Sequence, residues 1–107
     1  MIFYRAVSRD ELDDLNACRV LRPGPPSYQG KWVMPSLSEV ATMGRKLYAF
    51  DQEPFHIVEL ELVGKDCAGI YVLPKCDLIG PAYFFGTDQL NRLRFVSEVV
   101  NIPLGET

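Results

Sequence analysis

The spacing of apolar and polar positions changes several times along the chain, and each change predicts an element. Residues 1–7 are apolar and β-prone around a single arginine, Arg5, which predicts a first strand. Ser8-x-x-Glu11 is a capping-box pattern. Leu12, Leu15 and Cys18 follow at helical spacing, and Asp10 and Glu11 suit the positive end of a helix dipole. The helix should end near Cys18 or Arg19. Arg22 to Lys31 holds three prolines and two glycines and predicts the longest loop. Lys31 to Pro35 reads as a short strand. Ser36-x-x-Glu39 is a second capping box, and Leu37, Val40, Met43 and Leu47 then share one helical face. Pro54 closes the turn that follows.

The second half reads mostly as strands. From His56 to Val63, His56, Val58, Leu60 and Leu62 alternate with Glu59 and Glu61, the pattern of a half-buried strand. Gly69 to Leu73 predicts another strand. Ala82 to Phe85 is wholly apolar, which suits a central position. Thr87 is expected to cap a short helical turn through Leu93. Arg94 to Ile102 is the last strand, ending at Pro103. A β-α-β-α order followed by strands favours an α+β fold over a doubly wound parallel sheet. No internal repeat interrupts it.

Composition narrows the classes. A length of 107 residues predicts one domain, residues 1–107, and 48% apolar residues suffice for one small core. The net charge of −3 argues against a domain that grips a phosphate backbone, so nucleic acid is not an expected partner. Cys18, Cys67 and Cys76 match no zinc spacing, and the single His56 cannot complete a metal site. They are expected to be reduced thiols in a cytoplasmic fold. No stretch approaches about 20 apolar residues, so no membrane span is expected. Nor does the N-terminus read as a signal peptide. Action in another cell would require a separate delivery module.

Candidate chemistry lies where apolar strands end. Arg5 needs an anionic partner or solvent. Its planar donors suit a phosphate or a ribose, and a salt bridge to Asp10, Glu11 or a sheet glutamate is the alternative. Ser36 and Ser38 stand at a strand-to-helix junction, where a hydroxyl either caps the helix or orients a ligand. The Pro/Gly loop brings Arg22, Tyr28 and Lys31 near Trp32, a grouping that can stack on a flat ring or serve only as a connector. Asp77 precedes the Gly80-Pro81 turn, and Tyr83 can stack, donate a hydrogen bond or belong to the core. His56 reads as a packed strand histidine. Lys65 and Lys75 stand close to Cys67 and Cys76, yet nothing else in the sequence marks a thiol nucleophile.

Taken in order, Tyr4-Arg5-Ala6-Val7-Ser8, Gly30-Lys31-Trp32-Val33-Met34-Pro35-Ser36-Leu37-Ser38 and Asp77-Leu78-Ile79-Gly80-Pro81-Ala82-Tyr83-Phe84 resemble the three motifs of ADP-ribosyltransferase-like domains. The likeness is to those at the C-termini of bacterial polymorphic toxins, and it spans roughly residues 3 to 96. It implies a compact α+β fold with a split β-sheet and two main helices. NAD would be the substrate. Arg5 would hold the NAD pyrophosphate or ribose, Ser36 and Ser38 would support Arg5 and the nicotinamide ribose, and Tyr83 or Trp32 would pack near the nicotinamide. A protein or small-molecule acceptor of ADP-ribose and a cognate immunity protein are the implied partners.

The chain departs from the family at one point. The family's catalytic glutamate should fall near Gly80 to Ala82, and none is there. Asp77 is the nearest acid, with Glu59, Glu61 and Glu98 as alternatives. Three functions follow: an NAD-dependent transferase or NAD hydrolase, a silent domain of the same fold that binds a ligand or protein, and a toxin nuclease. The last is disfavoured because it would want a basic cleft with more than one histidine.

Overall fold

The computed structural model describes residues 1–24, 29–49, 54–64 and 66–100. Strand β1 (Ile2–Val7) presents Phe3 and Val7 to one face and Ala6 to the other, and both faces are covered. Helix α1 (Arg9–Cys18) starts where Ser8 Oγ accepts the Glu11 N–H at 3.2 Å. It ends at Arg19, whose left-handed backbone (φ 64°) returns its N–H to the Leu15 carbonyl. Helix α2 (Leu37–Leu47) starts in the same manner, with Ser36 Oγ accepting the Glu39 N–H at 3.3 Å. Each cap therefore satisfies one orphan donor. Among the described residues neither glutamate carboxylate reaches back to complete its box.

The remaining strands are β2 (Gly30–Val33), β3 (His56–Leu62), β4 (Tyr71–Cys76), β5 (Gly80–Gly86) and β6 (Leu93–Glu98), with a 3-10 turn at Leu90–Arg92. They form two antiparallel three-stranded sheets, β1-β3-β6 and β2-β5-β4, so the domain is α+β. The sheets meet where Tyr4 and Met34 exchange both backbone hydrogen bonds, at 2.7 and 2.9 Å. In an antiparallel ladder the next such exchange falls two residues further along, here Ala6 with Trp32. That pair is not made. The Trp32 carbonyl instead accepts from Arg5 Nη1 at 2.9 Å. Arg5 therefore stands in the split between the sheets.

The core has two parts, one on each face of β1 and β3. Leu12 and Leu15 of α1 pack with Phe3, Val58, Leu60 and Phe85. Val40, Ala41 and Met43 of α2 pack with Ala6, Met34, Ile57 and Ala82. The Phe3 ring, fully buried, meets Tyr83 at 4.9 Å and Phe85 at 5.8 Å and so ties β1 to β5. No helix among the described residues is long and apolar enough to cross a membrane.

Several elements differ from the sequence reading. The alternation in β3 holds from Val58 onward, but Ile57 is also buried, beneath α2. β4 starts at Tyr71, later than the Gly69–Leu73 run suggested, because Gly69 (φ 79°) and Ile70 form a turn closed by Ile70 N–H to the Cys67 carbonyl. β5 is central in its sheet, as its apolar run implied. The 3-10 turn has Gln89, not Thr87, at its N-cap, and the Gln89 side chain accepts the Gly86 N–H at 2.9 Å. β6 ends at Glu98. Residues 101 and 102 of the expected strand lie outside the described residues.

Candidate functional site

The first turn of α1 sets Glu11 over the point where β1 and β2 diverge. Arg5 holds its carboxylate through two donors, Nε to Oε2 at 2.6 Å and Nη2 to Oε1 at 3.1 Å. Lys31 Nζ lies 3.5 Å from Oε1. Of the partners considered for Arg5, Glu11 is the one the fold supplies. All three groups are shielded: the side chains of Arg5 and Glu11 are 11% and 9% exposed, and that of Lys31 is 2%. One buried carboxylate thus balances two buried cations, leaving a positive cluster at the split.

Burial pushes Lys31 below its ordinary value of 10.5, against the opposing pull of Glu11, while Arg5 adds to the drop. In the unfolded chain Lys31 keeps its proton up to about 10.4. Between the lowered value and that point the unfolded state binds more protons, so stability rises with pH. Below this window both states are protonated and the full cost of the buried charge remains. Lys31→Met keeps most of the stem and leaves Glu11 paired with Arg5. Urea midpoints measured from pH 7 to pH 10.5, roughly the lysine range, should rise for the natural protein relative to the variant. Parallel curves would contradict this account.

Beside the cluster, a cavity of about 570 Å³ opens between α1 and the loop after it, with Asp10, Asp14, Arg22 and Lys31 in its walls. Arg22 pairs with Asp14, and that hydrogen bond holds the Asp14 carboxyl below its usual range. Arg22 and Lys31 are therefore both engaged by acids. Trp32 packs on Phe84 at 5.0 Å and on Tyr71 at 6.0 Å. Tyr28 lies outside the described residues.

A second cavity, about 260 Å³, lies where the sheets split, under α2. Arg5, Trp32 and Met34 line it from the split, Val40, Met43 and Leu47 from α2, and Cys76, Asp77 and Ala82 from the β4–β5 hairpin. Three of the site residues expected from sequence thus gather here: Arg5, Trp32 and Asp77. Ser36 and Ser38 do not line the cavity; their hydroxyls meet at 3.2 Å at the start of α2, where Ser36 serves as the cap. Tyr83 packs on Phe3, on the sheet face opposite Trp32. Asp77 and Leu78 take left-handed backbone (φ 49° and 62°), which fits an acid that also forms the hairpin turn.

Cys76 faces the cavity, but burial and then the Asp77 charge push its thiol up, away from thiolate. All three cysteines are free. The other acids considered lie elsewhere. Glu61 pairs with Arg94, whose hydrogen bond lowers the Glu61 pKa. Glu98 pairs with His56 at 3.1 Å. Glu59 is on β3, opposite Tyr4 and Ser97, and is not in the cavity wall.

One acid was not singled out from the sequence. Gly80 is buried, and a methyl group added to it would overlap the Glu39 carboxylate, coming within 2.5 Å of Cδ. Glu39 therefore fills the space that a side chain at position 80 would fill. Its place three residues after Ser36 reads as helix capping, which concealed it. Comparisons with protein-family models, with curated proteins and with solved structures found no match to this chain.

Proposed function

We propose that the domain binds NAD at the split between its sheets and breaks the bond between ribose and nicotinamide, as an ADP-ribosyltransferase or NAD glycohydrolase of the toxin type. The observation that carries this reading is the convergence of Arg5, Trp32 and Asp77 on one largely apolar cavity. Two sheets that, among the described residues, share a single bridge are also in keeping with the split sheet that the sequence resemblance implies. A volume of about 260 Å³ suits the nicotinamide and its ribose, with the pyrophosphate and adenosine lying outside. Arg5 is the cation in the wall of this cavity for the phosphates. Trp32 offers an aromatic edge to the nicotinamide.

In the reaction the ribose C1′–N1 bond breaks, and its electron pair stays with nicotinamide, which leaves neutral. The ribosyl cation is then captured at C1′ by water or by an acceptor group, which loses one proton to solvent. Positive charge on the sugar peaks in the transition state, so a fixed carboxylate nearby accelerates the step. Asp77 is the carboxylate among the cavity-lining residues. The acceptor would be a protein or small molecule, and an immunity protein would be the natural inhibitor.

A second reading, a silent domain that binds a ligand or protein, is favoured by one observation: three Arg5 donor nitrogens are already engaged by Glu11 and the Trp32 carbonyl. NAD binding and nicotinamide release, measured side by side, separate the two. Arg5→Met leaves Glu11 paired with Lys31, so the variant should keep its fold while NAD affinity falls by roughly 10- to 100-fold, the worth of a charged hydrogen bond. Unchanged affinity would remove Arg5 from the site. Binding without release would support the silent domain.

A further inference from the structure

We infer that Lys31 is an imine-forming lysine, whose amine condenses with a small neutral hydroxyaldehyde held in the cavity beside α1. The inference is independent of the NAD reading and concerns the other cavity. Side chains alternate along β2, so Lys31 and Val33 point away from Trp32, toward the part of the core that α1 covers. Lys31 lines the cavity of about 570 Å³ together with Glu11 and Asp14 of α1. The charges of both acids act on its amine, as does that of Arg5 on β1.

Ion pairing alone does not account for this lysine. Arg5 takes both oxygens of Glu11, at 2.6 and 3.1 Å, and Lys31 makes a longer approach of 3.5 Å to Oε1. Glu11 would stay paired without it, and burying a second cation beside Arg5 is costly. A desolvated amine next to another cation is, however, the setting that makes a lysine nucleophilic. Burial is the chief cause that weakens its hold on a proton; Arg5 adds to it, while Glu11 and Asp14 oppose it. Arg22, the other cation in the cavity wall, is tied to Asp14.

The wall selects the substrate class. Asp10, Glu11 and Asp14 outnumber Arg22 and Lys31 there, which disfavours an anionic carbonyl compound. Ser8, Asp10 and Asp14 offer acceptors to substrate hydroxyls, and the volume suits a small molecule. In the reaction the ammonium passes one proton to Glu11, and its freed lone pair attacks the carbonyl carbon. The N–C bond forms, the C–O bond breaks, and water leaves with that proton and a second one from nitrogen. The imine nitrogen keeps the third, so Glu11 faces one positive charge before and after.

The test treats the natural chain at neutral pH with glyceraldehyde and cyanoborohydride, whose hydride reduces each imine to a stable secondary amine. Mass spectrometry of peptides then gives the rate at each lysine. Lys46 and Lys75, both exposed, are the internal references. Lys31 should react at least about tenfold faster than either, a small part of what a bound and oriented carbonyl can gain. Its rate should saturate with glyceraldehyde, while theirs rises in proportion. Burial alone predicts the reverse order, because a side chain 2% exposed meets reagent least often. In guanidinium chloride the advantage should vanish. A Lys31 no faster than the references, a rate that does not saturate, or an advantage that survives unfolding overturns the inference. Glyoxylate, an anionic aldehyde, should show a smaller advantage at Lys31, and a larger one overturns the choice of a neutral substrate.

Discussion

Glu11→Gln should lower stability by roughly 3–5 kcal/mol, the cost of leaving buried charge without its partner. The substitution barely changes shape. It removes the one negative charge between Arg5 and Lys31, both of which are largely shielded from water. For a domain of this size that loss corresponds to about 15–30 °C in melting temperature. The double variant Glu11→Gln/Lys31→Met should recover a large part of it, because only Arg5, the more exposed of the two cations, would then be unpaired. Urea unfolding of the four proteins in this cycle gives the coupling directly. Additive losses would mean that Glu11 does not hold the two cations together.

Phe3→Ala should cost a similar amount, about 3–5 kcal/mol, through lost burial and the void left behind. Phe3 is fully buried and contacts Tyr83 and Phe85 across the boundary between the sheets. The same truncation of Tyr71, which is exposed and makes only an edge contact with Trp32, should cost about 1 kcal/mol or less. Thermal melts of the two variants make the comparison. A loss below about 1 kcal/mol for Phe3, the scale of an ordinary substitution, would show that the sheets do not depend on this ring.

Sequence pattern located the helices well, because capping and apolar spacing agree in both. Ser8 with Leu12 and Leu15, and Ser36 with Val40 and Met43, leave little freedom for their starts. β4 was harder to place because it is an edge strand, mostly exposed, and lacks the alternation that a buried face imposes. Burial of Lys31 ran against the usual preference of lysine for the surface, and only the spatial neighbour Glu11 makes it tolerable. The cavity at the split was partly legible: Arg5 stood out as a charge among apolar strand residues, Trp32 as an aromatic beside cations and Asp77 as the acid nearest the Gly80-Pro81 turn, and all three line it. The place of Glu39 against Gly80 was not legible, because a glutamate three residues after Ser36 already reads as part of a helix cap.

Among the described residues the sheets share one backbone bridge, between Tyr4 and Met34, and this has a mechanical consequence. Two ladders that share one rung can change their mutual angle without breaking the hydrogen bonds inside either. What fixes the angle between the sheets is therefore that rung, the Arg5 bond to Trp32 beside it, and side-chain packing across the boundary in both core clusters. The cavity lies at this joint, so its width is set by packing between the sheets and not by a continuous ladder.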